Sequence, residues 1–140
     1  MRHYFSIIII SLILCSVVFF LYKQNTPATV QINGKNIKVE VARTTTERAK
    51  GLSSRNSLVP DTGMLFVFDK ADLHSFWMKD MLFPLDIIYI NNGKVAETTT
   101  LQPPSDNNIP KYTPQNKAQY VLELNVNSGF KVGDEVKIKY

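Results

Sequence analysis

From Val30 onward the chain alternates between apolar and polar positions. In TVQINGKNIKVEVA, Val30 and Ile32 alternate with polar residues, and Ile37, Val39 and Val41 do so again after Asn33-Gly34. A period of two turns one face of a strand toward a core. Asn-Gly accepts the positive φ of a tight turn, so the stretch predicts a hairpin. In GMLFVFD, Met64, Phe66 and Phe68 share one face, and Leu65 and Val67 share the other. HSFWMK reads as a further strand. Pro84 then interrupts, because proline cannot donate to a ladder. PLDIIYI is apolar on both faces, which predicts a strand covered on both sides. Asn91-Asn92-Gly93 turns the chain and KVAETTT returns. AQYVLELNV follows, then a final edge strand within NSGFKVGDEVKIKY, whose alternating lysines discourage edge-to-edge pairing.

One helix interrupts the strands. Thr44 and Glu47 have the spacing of a capping box, and Gly51 supplies a C-terminal stop. Leu101 to Asn116 carries Pro103, Pro104, Pro110 and Pro114 and reads as a long loop, a class that is often functional. About eight short strands and one short helix, without a βαβ rhythm, predict an antiparallel β-sandwich or barrel.

The first residues follow a different pattern. Tyr4 to Tyr22, YFSIIIISLILCSVVFFLY, carries no charge. As a helix it would be about 28 Å long, close to the roughly 30 Å hydrocarbon core of a bilayer. Arg2 precedes it and Lys23 follows. The run exceeds the apolar segment of an ordinary cleaved signal, and only Thr26-Pro27-Ala28 offers a faint small-x-small site. Leu14 before Cys15 argues against a lipoprotein cysteine. The expected organisation is a transmembrane signal anchor over residues 1–24, a linker over 25–29 and a β-domain over 30–140. That domain is placed on the extracytoplasmic, periplasmic side of the cell membrane. Secretion after signal cleavage is the alternative.

Composition excludes several classes of chemistry. Cys15 is the only cysteine, so residues 25–140 have neither a disulfide nor a catalytic thiol. Beyond residue 24 the chain has 14 basic and 12 acidic residues, a net +2 with no basic cluster, so nucleic acid is not an expected partner. His3 precedes the membrane segment, leaving His74 alone in the domain. One histidine without cysteine is a poor zinc set, and no metal is expected. There is no nucleophile elbow and no glycine-rich phosphate loop, so no cofactor is expected either. His74 reads as a strand-entry residue near solvent.

The polar residues set among apolar ones are the candidates. In HSFWMKDMLFPLD, Trp77 and Lys79 share a strand face about 7 Å apart, which allows a cation–π contact. Phe76 and Met78 then face the core. The alternative is that Lys79 reaches past the indole to water. Asp86 opens an otherwise apolar strand and Glu123 sits in YVLEL, so both need partners. Arg48, Arg55 and Lys79 are the available cations. They make either a buried ion-pair network or a ligand pocket lined by Trp77, Lys79, Asp86 and an arginine. A carboxyl pair such as Asp86 and Glu123 also suits glycosidase-type acid–base work, if the separation allows it.

ERAKGLSSR, GMLFVF, FWMKDMLFPLDIIYI and AQYVLEL, in that order, closely resemble the domain-of-unknown-function family 192. The resemblance covers roughly residues 30–140. It falls on Glu47, Arg48, Gly51, Leu52 and Arg55, then Gly63 to Phe66 and Phe68. It continues over Phe76 to Lys79, Pro84 to Ile87, and Tyr120 to Glu123. The chain departs at Ser53, where the family usually has methionine, and at Asp80-Met81, where it usually has Asn-Thr. The resemblance implies a jelly-roll-like β-sandwich and an N-terminal export segment, and it implies no activity.

The leading functional expectation is a membrane-anchored binding or envelope-associated module for carbohydrate or peptide. A hydrolase or lyase using Lys79 with Asp86 or Glu123 is one alternative. A structural protein with a buried ion-pair network is the other.

Overall fold

The computed structural model describes residues 28–106 and 108–140. The expected anchor at residues 4–22 lies outside the described residues. Among the described residues no helix is long and apolar enough to cross a membrane.

Among the described residues nine strands and one helix follow one another. They are β1 (Ala28–Ile32), β2 (Lys35–Ala42), α1 (Thr45–Lys50), β3 (Thr62–Asp72), β4 (Phe76–Trp77) and β5 (Leu85–Asn91). Then come β6 (Lys94–Leu101), β7 (Lys111–Tyr112), β8 (Ala118–Asn125) and β9 (Val136–Lys139). Seven strands form one sheet in the order β6-β5-β8-β3-β2-β1-β9, and β4 pairs with β7 in a separate ribbon.

Local signals explain the joints. Asn33 and Gly34 have φ of 48° and 85°, and Asn92 and Gly93 have 49° and 71°. Both pairs close two-residue hairpins of the type that demands positive φ twice. The Thr44 hydroxyl accepts from the Glu47 amide, and the Glu47 carboxylate accepts from the Thr44 and Arg43 amides. These bonds pull the Glu47 carboxyl below its usual range, the Thr44 amide most of all.

The sheet is not purely antiparallel. β2 and β3 run parallel, with Val39 opposite Gly63 and Val41 opposite Leu65. Arg43–Asp61, including α1, forms the crossover that a parallel pair requires. Nor do two separate sheets make a sandwich. The single sheet curls until its ends meet: Val95 donates to Asp134, Gly133 to Val95 and Val136 to Gly93, and Lys94 bridges Glu135. Closing a sheet on itself removes edges, which is the same physical end that a sandwich serves.

The curl creates two cores. Inside it, Val30, Ile32, Ile37, Val39, Leu65, Ile88, Ile90, Leu122 and Val136 pack together. Outside it, the other face of β3, β5 and β8 supplies Met64, Phe66, Leu85, Ile87, Tyr89 and Val121. Leu52, Phe76, Met78 and Met81 cover that outer face from the segments after α1 and around β4. This explains why every residue of β5 from Leu85 to Ile90 is buried. Gly63 lets β3 and β8 approach, since a Cβ there would lie 2.6 Å from the Glu123 carbonyl oxygen.

Candidate functional site

The outer core is not sealed. Between α1 and β4 an open cleft of about 410 Å³ is walled by Arg48, Phe66, Phe68, His74, Phe76 and Trp77. A deeper recess of about 30 Å³ shares Arg48, Phe66, Phe76 and Trp77 and adds Gly51, Leu52, Ser53, Met81 and Glu123. That volume suffices for one water-sized group.

Each wall has a local cause. The capping box sets the start of α1 and so the position of Arg48. Gly51 has φ 49° and a Cβ there would lie 3.3 Å from the Phe66 ring, so a larger residue would crowd the recess. The Ser53 hydroxyl donates to the Lys79 carbonyl and the Ser54 amide to that of Asp80, which docks the turn after β4 onto the segment after α1. Ser53 and Met81, two of the positions where the chain departs from the family pattern, therefore both line the recess, and Asp80 is held beside them by the Ser54 amide.

Glu123 is the unusual member. It lies on β8 between Met64 of β3 and Ile87 of β5. It is only 6% exposed, and its Oε2 has no hydrogen-bond partner. Burial alone pushes its carboxyl up to about 8, so it holds a proton at neutral pH. The Tyr89 hydroxyl, on the same outer face, is also buried without a partner, and burial above all raises its phenol. Buried polar groups without partners are rare in folded proteins and call for a reason. A strongly perturbed carboxyl opening into a cleft has the character of a functional group.

The aromatic wall is ordered by its own contacts. Phe66 and Phe76 meet edge to face with centroids 4.9 Å apart, and Phe76 meets Tyr89 similarly at 6.0 Å. His74 stacks on Phe68 at 3.5 Å, and the Arg48 guanidinium lies 5.0 Å from the Phe68 centroid. Trp77 is 55% exposed at the mouth. Lys79 Nζ sits 5.6 Å from its ring centroid. Phe76 and Met78 point inward and are buried.

The structure thus brings together Arg48, Trp77 and Glu123, with Lys79 against Trp77. It separates Asp86 and Arg55 from them. Asp86 sits on the inner face, 7% exposed, where it accepts from the Thr100 hydroxyl at 2.6 Å and the Ser128 amide at 2.9 Å. Arg55 forms a two-point pair with Glu40 at 2.5 and 2.7 Å. That pairing holds the Glu40 carboxyl low.

The expected ion-pair network does not form. Among the described residues the ion pairs are Lys35–Asp61, Arg55–Glu40 and Lys117–Asp72, all at the surface. Arg48 instead donates to the carbonyls of Arg43 and Val67. Neutral donors satisfy Asp86, and a bound proton takes the charge off Glu123. The Lys79 pairing expected for a hydrolase or lyase, with Asp86 or with Glu123, is likewise not among the ion pairs of the described residues. Asp86 and Glu123 lie on opposite faces of the sheet, so they do not flank a common substrate.

Sequence reasoning missed Glu97. It is 8% exposed on β6 and accepts from the Tyr112 hydroxyl, the amides of Gln115 and Asn116, and the Asn116 side chain. Burial pushes its carboxyl up, but these bonds together outweigh it and hold the group below its usual value. Its position in ETTT gave no apolar context to mark it. A second cavity of about 280 Å³ opens near Lys35, Asp61 and Asn125. There Lys35 is paired with Asp61, and the Asn125 side chain donates to the Leu58 carbonyl. Among the described residues no three His, Cys, Asp or Glu side chains group to hold a metal.

Residues 28–138 match the family DUF192, described as "Uncharacterized ACR". A protein of unknown function from Novosphingobium aromaticivorans DSM 12444 is similar in structure, with 30% identity and a TM-score of 0.68 over 79% of this chain and 83% of that one. A protein from Sinorhizobium meliloti 1021, described as a proposed transcription regulator, shows 28% identity and a TM-score of 0.68 over 79% and 91%. No curated protein matches the chain.

Proposed function

We propose, from the premise that this chain belongs to DUF192, that it is a binding module whose cleft between α1 and β4 takes a carbohydrate or peptide ligand. The observation that carries the reading is the unpartnered Glu123 carboxyl at the end of an aromatic cleft. A ligand lies against the exposed face of Trp77 and puts one polar group into the recess. Aromatic side chains supply apolar contact at low entropic cost, and the carboxyl supplies the directional bond. Binding removes the orphaned state of Oε2, a penalty of about 1–3 kcal/mol for a buried polar group.

In the same reading, residues 4–22 anchor the module to the membrane and its domain stands on the extracytoplasmic side. The uncharged length of that run supports the placement. An alkaline phosphatase fusion at the C-terminus should be active, and an inactive fusion would refute it.

Binding is tested through Trp77, the only tryptophan of the chain. Its emission should shift on titration with a ligand from a panel of oligosaccharides and peptides. Ala49→Phe, which introduces a ring where exposed Ala49 lines cleft and recess, should abolish the shift and leave the melting temperature unchanged. Emission indifferent to the whole panel, or equal binding by Ala49→Phe, would refute the module.

A further inference from the structure

We infer that the recess takes a primary ammonium group carried on the ligand, with Glu123 as its counter-ion. This rests on the binding reading above and names the chemistry that the site selects. The recess, about 30 Å³, holds a water-sized head and no ring, and an ammonium is such a head. It presents three donors and no acceptor, which suits an Oε2 that lacks a donor. Its walls are Phe66, Phe76 and Trp77, whose ring faces attract cations.

No cation of the protein itself fills this role. Arg48, from α1, is engaged by the Arg43 and Val67 carbonyls and lies over Phe68. Lys79 lies over Trp77, outside the recess. Lys50 lines the mouth from the end of α1 but remains exposed. From β3 and β5 the flanking residues are Met64 and Ile87, with the uncharged Tyr89 beyond. Among the described residues Glu123 takes part in no ion pair, and burial raises its carboxyl. A ligand cation at Oε2 would supply the ion-pair partner this carboxyl lacks.

Proton balance separates this inference from neutral recognition. The free site holds Glu123 as COOH and the ligand arrives as R–NH₃⁺. Binding forms the carboxylate–ammonium pair and releases the carboxyl proton to solvent. A hydroxyl in the same place would leave the proton on Glu123 and release none.

Two sources carry the same ammonium: a lysyl side chain and an amino sugar. The full chain in detergent micelles is titrated calorimetrically with acetyl-Ala-Lys-Ala-amide and with a glucosamine tetramer, each against its N-acetylated form. Two buffers of different ionisation enthalpy report the proton. At least one amine probe should bind and release a proton, its affinity rising about tenfold per pH unit between pH 5.5 and 7. Acetylation should weaken that probe at least about tenfold. Glu123→Gln should lose the pH slope and keep a cooperative melt. The probe that binds identifies the source. Equal binding of acetylated and free forms without proton release would overturn the ammonium and leave the module standing. No binding by any probe, with Trp77 emission unmoved, would overturn both.

Discussion

Glu97 and Glu123 are the same residue type on the same outer face of the same sheet, and the fold treats them oppositely. Glu97 on β6 pairs directly with Tyr89 of β5, and Glu123 lies one strand further, on β8. Glu97 is ringed by donors from the segment that includes β7 and residues 115–116. Its charge is stabilised where it sits, and it fastens that segment to the sheet. Glu123 has apolar strand neighbours, and a proton replaces the missing partner. The difference teaches that burial alone does not assign a role to a carboxyl. What matters is whether backbone amides converge on it. A saturated carboxylate is a clasp, and a bare one that opens to a cleft awaits a partner.

Removing each carboxyl breaks the comparison most directly. Glu97→Leu should cost about 3–5 kcal/mol, because it strands the amides of Gln115 and Asn116. Thermal unfolding by circular dichroism should show a large fall in melting temperature. Glu123→Leu should do the reverse near pH 7.5 and stabilise by on the order of 1–3 kcal/mol, since an apolar side chain of similar size suits an apolar setting. It should also abolish ligand binding, the trade expected where a strained site serves function.

The pH dependence sharpens the contrast, and the signs differ. Glu123 in the folded state binds its proton up to about 8, against an ordinary value of 4.5. The unfolded chain holds fewer protons between those values, so stability falls as pH rises, by up to about 1.4 kcal/mol per unit. The Glu97 carboxyl is held below 4.5. Its contribution is present above that pH and is lost as pH falls through the lowered value. Urea unfolding across pH 3–8 should therefore show a maximum near pH 5. The alkaline limb should flatten in Glu123→Leu, and a limb unchanged in that variant would refute the protonated carboxyl.

The smallest effects belong to the mouth of the cleft. Trp77→Ala should change stability by less than about 1 kcal/mol, since the ring is largely in solvent, yet weaken ligand binding several-fold. Lys79→Met removes one exposed cation–π contact of about 0.5–1 kcal/mol. A larger loss of stability at either position would make the mouth structural.

Much of this arrangement is legible along the chain. The Asn-Gly pairs, the Thr44–Glu47 box and the doubly apolar LDIIYI each act within a few residues, so local sterics and periodicity decide them. The exposed Trp77–Lys79 face against buried Phe76 and Met78 follows from the same alternation. The parallel pairing of β2 with β3 does not, because it depends on where the whole connection over 43–61 docks, with Leu52 rather than any residue of α1 buried in the outer core. β7 lay hidden in a proline-rich segment, since a two-residue strand carries no period. Alternation placed Asp86 and Glu123 in strands but could not say which core each would face.

The residue pattern by itself determined a β-rich chain with two tight hairpins, one capped helix and charged groups lodged in apolar strands. Backbone dihedral preferences and side-chain periodicity operate over short distances, and these features need nothing more. Only the tertiary structure decided that one sheet curls on itself, that Asp86 turns inward to Thr100, and that Glu123 turns outward to meet no donor. Those outcomes depend on which distant segments arrive at each face, and solvation of a carboxyl is set by all of them together.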